Sequence, residues 1–462
     1  MKLKFNAQLD MTTGNLAKKV ILFSIPVLLS GWLQLLYSAA DLITCGNFGS
    51  KNSVGAISAT TSLTSLILSL FLGFSVGANV LIAQAYGCKN KEKAEKILQS
   101  TYFLAVVSGV ILMIVGVFCS KYFLIWMSTP DDIIDLSTTY MRIYFLGIPF
   151  VILYDFGAAL MRGLGDTTKP FIILCISGLV NVGLNFLFVI VFKLDVAGVG
   201  ITTVIAQIIS AVLVTLCLIR NKHSFCNLTL KHFRIHKEEI IQIIKIGVPA
   251  GIQSALFSLS NVILQSSINS FGSDAVTGTG AESSIESFLS VGVDAFAQAA
   301  VAFVGANYGA KDRKRIQQSV FYSSLYGTIF SLIAGIFVYF MAEPLLRIYI
   351  SDPNAISYGV EKMKIIGTMY IIYTLVCTVS SAIRGFGYSF IPMVVSLIGI
   401  CALRIVYIYT FFNMEALHTI FGLYLSYPIS WGVTLIAHII CYFVLSRKQF
   451  KKEEFQKEAS AA

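Results

Sequence analysis

Charge is what this sequence has least of. Asp, Glu, Lys and Arg make up 13% of the chain and apolar residues 56%, whereas soluble domains carry roughly a quarter charged residues. A water-soluble fold is excluded, because the apolar surplus comes in runs of about 20 residues or more, the span of a hydrocarbon core. Cysteine is sparse and shows no pattern. Of nine, Cys175, Cys217, Cys377, Cys401 and Cys441 lie in apolar runs, with no CxxC pair and no ligand-like spacing. They read as small buried hydrophobes, so neither a disulfide nor a bound metal is expected. A Walker A motif is missing, which excludes ATP as the energy source, and nothing calls for an organic cofactor. No small-residue cleavage site follows the first apolar run, which begins after Lys18-Lys19, so that run reads as a retained span. A net charge of +10 would suggest a nucleic-acid partner for a soluble chain, but here the placement of the basic residues explains it.

Polar punctuation divides the chain into about twelve apolar segments. Of the 34 basic residues, 26 fall on one side of the implied bilayer: the N-terminal tail, the 87–98 loop, Arg162, Lys169, the 220–245 connector, the 311–315 cluster, Arg384 and the C-terminal tail. The other side keeps Lys51, Lys121, Arg142, Lys193, Arg347, Lys362, Lys364 and Arg404. Basic residues are retained in the cytoplasm, so both termini are expected there and the number of spans is even.

The second half repeats the first at a displacement of 222 to 223 residues. Pro26 matches Pro249, Phe48-Gly49-Ser50 matches Phe271-Gly272-Ser273, and Tyr86-Gly87 matches Tyr308-Gly309. Arg162-Gly163-Leu164-Gly165 matches Arg384-Gly385-Phe386-Gly387, and Pro170 matches Pro392. An even number of spans per copy makes these parallel repeats related by an axis along the membrane normal. The expected fold is therefore all-α integral membrane: about twelve transmembrane helices in two pseudo-symmetric six-helix lobes. The boundaries read as an N-lobe over 1–220, a cytoplasmic connector over 221–240, a C-lobe over 241–446 and a cytoplasmic tail over 447–462. Two such lobes imply a cavity that opens to either side, the logic of a secondary transporter.

An ionisable group inside a span costs on the order of 3 kcal/mol on insertion scales, so each is a functional candidate. Asp41 ends a line of Gln34, Tyr37 and Ser38 on one face of the first helix. Ser177, Asn181 and Asn185 recur every four residues on the fifth span, and Thr203 and Gln207 on the sixth, as partners for a carboxyl group. In the second half Gln253, Asn261, Gln265 and Asn269 form one wet ladder, and Glu282, Glu286, Ser290, Asp294 and Gln298 another. Gln34, Tyr37, Gln253, Asn261, Glu286 and Asp294 are the candidate substrate-cavity residues, with Asp294 the deepest acid. Glu282 reads either as a cavity acid or as a group hydrated near the outer surface. Asp155, about 10 Å up the helix from Arg162, and His438 each admit a structural and a functional role. Gly163-Leu164-Gly165-Asp166 spells GxGD, a motif of intramembrane aspartyl proteases. Its two acids, Asp155 and Asp166, lie on one segment and cannot face each other as such a dyad must.

In order and in duplicate, these motifs resemble those of the multidrug and toxic compound extrusion (MATE) transporters, prokaryotic branch, across nearly the whole chain. They are Pro26, Asp41 followed by Gly46, the helix ends Gln84-Ala85-Tyr86-Gly87 and Ala306-Asn307-Tyr308-Gly309, and the two Arg-Gly-x-Gly turns. The resemblance implies an antiporter, not an enzyme, that expels amphipathic, often cationic compounds against entering protons or sodium ions. It places the coupling-ion site, and a sodium ion if that is the coupling ion, on Asp41, with Tyr140, Asn181, Asn185 and Thr203, and a helix bend at Pro26. Asn185 departs from the family pattern, where an Asp is common. The family's second-lobe pair of acids also has no match: the corresponding stretches read Ser254 to Asn261 and Tyr373, leaving Glu286 and Asp294 as the acids that could take their place. A lipid-linked sugar flippase of similar architecture is the alternative; its polyanionic cargo calls for a basic lining, whereas the deep charges read as mostly acidic. A monomer in the cell membrane, without nucleic-acid partners, is expected.

Overall fold

A computed structural model describes residues 8–50, 52–220, 225–229 and 233–461. Lys2, Lys4, Lys51, Lys222 and Lys231, counted above in the charge split, lie outside the described residues. Among the described residues there is no strand, and twelve helices are long and apolar enough to cross a membrane. They are α1 (Leu16–Phe48), α2 (Ser53–Gly87), α3 (Lys91–Trp126), α4 (Ile134–Gly163), α5 (Thr168–Val191) and α6 (Asp195–Arg220). The second six are α7 (Lys237–Asn269), α8 (Ser273–Gly309), α9 (Arg313–Leu346), α10 (Pro353–Gly385), α11 (Phe390–Tyr409) and α12 (Ile420–Phe450).

The sequence repeat is a repeat of backbone geometry. Lys89 and Lys311 both take positive φ, 55° and 57°, in the turn after α2 and after α8. The next residue in each copy caps the following helix: Asn90 Oδ1 accepts from the Lys93 amide at 2.9 Å, and Asp312 Oδ1 from the Arg315 amide at 3.0 Å. Gly165 and Gly387 both turn through the left-handed region, at 85° and 93°, where a side chain would be strained.

The helices form two compact units: residues 1–10 with 25–251, and residues 11–24 with 252–462. Small residues set the helix spacing inside each, as in bilayers, where close backbone approach replaces hydrophobic driving force. In the first unit a Cβ on Gly73 would stand 2.2 Å from the Gly251 nitrogen, so α2 and the start of α7 touch backbone to backbone. In the second, a Cβ on Gly335 would stand 2.3 Å from the Gly367 carbonyl oxygen, locking α9 to α10. Exposed apolar stripes at four-residue spacing, Val106-Val110-Ile114-Phe118 on α3 and Leu325-Ile329-Ile333-Phe337 on α9, suit a lipid-facing side. The core of the second unit gathers Tyr370, Leu423, Tyr424 and Trp431 around Val293 and Ile366.

Two helices carry a π-turn: α5 over Phe186–Val191 and α11 over Leu397–Ala402. Each adds about one residue to a turn and rotates the helix beyond it. The α5 π-turn begins directly after Asn185.

Candidate functional site

In the first unit Asp41 sits on α1, partly buried, facing α5 and α6. Asn185 Nδ2 donates to Asp41 Oδ1 at 2.6 Å, and the Thr203 hydroxyl donates to Oδ2 at 3.3 Å. Behind them, Thr202 Oγ1 donates to Asn185 Oδ1 at 2.5 Å, and Asn185 and Asn181 are linked at 3.4 Å. Asn181 Nδ2 reaches Thr203 Oγ1 at 3.5 Å. The carboxylate is thus held by neutral groups, and among the described residues no Lys or Arg forms an ion pair with it. Tyr140 is buried beside it among Cys45, Val189, Val196 and Val199; its ring is stacked with that of Tyr144, centroids 6.1 Å apart. Every oxygen in the cluster is hard, so the set suits a proton or a small oxygen-seeking cation.

Tyr37 does not stand free on its face of α1. Its hydroxyl donates to the Leu174 carbonyl at 3.2 Å, and its ring occupies the space above Gly178, where a Cβ would lie 1.7 Å from Tyr37 Cζ. It therefore fixes α1 against α5 and with it the Asp41–Asn185 contact. Gln34, one turn away, is exposed, and Pro26 lies inside α1 at the edge of the first unit.

The second unit is built differently. Gln253 is buried: its Nε2 donates to Ser396 Oγ at 2.8 Å, and its Oε1 accepts from Arg384 Nη2 at 2.8 Å. Asp294 is exposed, with the Arg384 charge within electrostatic reach. Glu286, partly buried, has the Lys362 ammonium 3.6 Å away. Asn261 is exposed, and its Oδ1 accepts from Arg404 Nη1 at 3.2 Å.

Three expectations change here. Glu282 is not hydrated at the surface; it is 2% exposed and ion-paired with Lys362, itself 2% exposed. Lys362 and Arg404 are not far-side loop charges but lie buried inside α10 and α11. Lys362 comes nine residues after Pro353, about 14 Å along the helix and more than two turns inside it. The deep charges of this unit are consequently balanced, with Glu282, Glu286 and Asp294 set against Lys362, Arg384 and Arg404. The repeat itself carried the missed signal, because a displacement of 222 lays Lys362 on Tyr140. Of the two ambiguous groups, Asp155 lies within electrostatic reach of Arg162, and His438 is fully buried with Nε2 3.5 Å from the Pro392 carbonyl. Among the described residues no group of three or more His, Cys, Asp or Glu side chains is placed to hold a metal ion.

Known proteins share this fold. The MatE family model matches residues 26–187 and again 249–410. A probable multidrug resistance protein of Bacillus subtilis, YoeA, is 26% identical over 442 residues, covering 94% of this chain and 95% of its own. A probable multidrug resistance protein of Thermotoga maritima, NorM, is 23% identical over 393 residues, 84% of each chain. The fold matches that of a solved multidrug resistance transporter of the family in an outward-facing conformation, with a TM-score of 0.87 at 18% identity over 97% of this chain and 98% of that one. With the duplicated match spanning both halves, the chain belongs to the MatE family, the multidrug and toxic compound extrusion transporters.

Proposed function

We propose that the protein is a secondary active multidrug exporter, expelling amphipathic, cationic compounds against inward protons or sodium ions by alternating access. The coupling ion is carried at Asp41, with Asn185 and Thr203 holding the carboxylate while it is empty and Tyr140 and Asn181 completing the site. The observation behind this reading is that Asp41 is partly buried and bonded only to neutral side chains, whereas the deep acids of the second unit are offset by cations. A carboxylate kept in a span without a counter-charge is stabilised by whatever small cation visits it, and one that binds two states of the protein unequally drives the change between them. Exposed Gln34 in the first unit, and exposed Asn261 and Asp294 with partly buried Glu286 in the second, each offer a polar group to substrate, and Gln253 fixes the Arg384 side chain. With Lys362 and Arg404 inside their spans and Arg384 counted with them among the deep charges, six basic residues remain on the far side against 25, which supports cytoplasmic termini.

The flippase alternative needs several cations for a lipid-linked diphosphate. Lys362 is already closed by two carboxylates, and Arg384 and Arg404 have Asp294 and Glu286 within electrostatic reach, so this reading is the weaker one. Transport of tetraphenylphosphonium by proteoliposomes under separately imposed proton and sodium gradients tests the proposal. Uptake coupled to one gradient and abolished by Asp41→Asn is expected; full coupling in the Asp41→Asn variant would overturn the assignment.

A further inference from the structure

The two units carry opposite charge at equivalent places. A displacement of 223 lays Leu264 on Asp41 and Arg404 on Asn181, and 222 lays Lys362 on Tyr140. The extra residue on α11 is the one its π-turn inserts, since Leu397–Ala402 precedes Arg404 whereas the α5 π-turn follows Asn181. Where the first unit places a carboxylate among amides and hydroxyls, the second places an apolar Leu264, buried at 1%, and two cations.

Those cations are not equally satisfied. Lys362 has Glu282, Glu286 and, at 3.0 Å, the Ser283 hydroxyl. Arg404, 3% exposed, has only neutral acceptors: Ser260 Oγ at 3.0 Å, Asn261 Oδ1 at 3.2 Å and Ser430 Oγ at 3.3 Å. Its guanidinium carbon lies 4.3 Å from the Tyr427 ring centroid, its Nε–H has no hydrogen-bond partner, and among the described residues no carboxylate forms an ion pair with it. Hydroxyls and an amide satisfy N–H groups but bring no acid into contact, Glu286 standing only within electrostatic reach, and a buried charge without a contacting counter-ion is costly. Asn261, one of its acceptors, is exposed on α7. A carboxylate arriving there can replace Asn261 Oδ1 and add the unused Nε–H, the fork that guanidinium offers to a two-oxygen acid. Trp431 lies 5.5 Å from Tyr427 and 5.2 Å from Tyr373 between ring centroids, an aromatic wall next to that cation.

We propose that Arg404, with Ser260 and Asn261, binds the carboxylate of an aromatic organic acid or zwitterion carried by this transporter, so that the second unit recognises an acidic group where the first recognises a cation. This rests on the exporter reading. The probes are carboxyfluorescein and tetraphenylphosphonium, offered to the purified full-length chain. In detergent, carboxyfluorescein quenches tryptophan emission in the wild type. Arg404→Gln weakens that binding by about tenfold or more, and Arg404→Lys recovers part of it. In proteoliposomes Arg404→Gln lowers the ratio of carboxyfluorescein to tetraphenylphosphonium transport. Asn261→Asp, which sets a competing carboxylate against Nη1 and adds an ion pair to the fold, lowers carboxyfluorescein binding in the same way and serves if Arg404→Gln does not fold. Equal binding by wild type and variants, or loss of both probes in the same proportion, makes Arg404 a helix tie and overturns the proposal. A wild type that moves tetraphenylphosphonium but does not bind carboxyfluorescein overturns this inference alone. One that binds carboxyfluorescein but moves neither probe under either gradient overturns the exporter reading alone.

Discussion

Lys362→Met is the perturbation whose size the structure constrains best. The ammonium is shared by a carboxylate that is 2% exposed, Glu282, and one that is 24% exposed, Glu286. Met keeps the length and the apolar stem and deletes only the charge. Glu286 retains some access to solvent, but Glu282 is left as an unpaired charge in the core of the second unit. Breaking a buried pair from one side costs about 3 to 5 kcal/mol, whereas replacing both partners by apolar groups is often neutral or stabilising. The single variant is therefore expected to lose about that much, and Lys362→Met with Glu282→Leu to recover most of it. Thermal unfolding in detergent, followed by the reaction of the buried thiols Cys45 and Cys401 with a fluorogenic maleimide, measures this. If the single variant is as stable as wild type, Glu282 and Lys362 are not paired in the folded protein. If the double variant is no better than the single, the loss comes from packing around Lys362 and not from the stranded acid. Either result would also undercut the charge balance that sets the second unit apart from Asp41.

Asn185→Ala removes the 2.6 Å bond that stabilises the empty Asp41 carboxylate. A charge-assisted bond is worth about 1.5 to 3 kcal/mol, so affinity for the coupling cation is expected to rise about tenfold or more while turnover falls. Weaker ion dependence of transport would mean that Asn185 is a ligand rather than a donor to Asp41. Gly387→Ala puts a Cβ at φ 93° and should cost at least about 1 to 2 kcal/mol, read as a lowered unfolding temperature; an unchanged value would mean that the turn relaxes freely. Cys88, exposed within the 87–98 basic loop, should react with a membrane-impermeant maleimide in inverted vesicles and not in intact cells; the reverse pattern would invert the proposed orientation.

Much of the architecture was legible in the residues. The parallel repeat showed in Pro26 and Pro249 and in the two Arg-Gly-x-Gly turns, because a proline or a left-handed glycine is required wherever the backbone geometry recurs. Asp41 was legible because a carboxylate in an apolar run stands out on cost alone, and the four-residue spacing of Asn181 and Asn185 is a property of one helix. What sequence spacing could not supply was the partner across a helix interface. Gln253 read as a cavity lining group, yet it is buried against Ser396 and Arg384, 143 and 131 residues away.

The sequence by itself determined a twelve-span duplicated membrane protein with basic residues crowded on one side, since hydropathy, loop charge and turn chemistry are local quantities. Only the tertiary structure decided which buried charges are answered. Lys362 meets Glu282 and Glu286 from another helix, and Arg404 meets Ser260 from 144 residues away. Coulomb energy depends on distance through the fold, and a single inserted residue in the α11 π-turn is enough to turn a guanidinium towards α7.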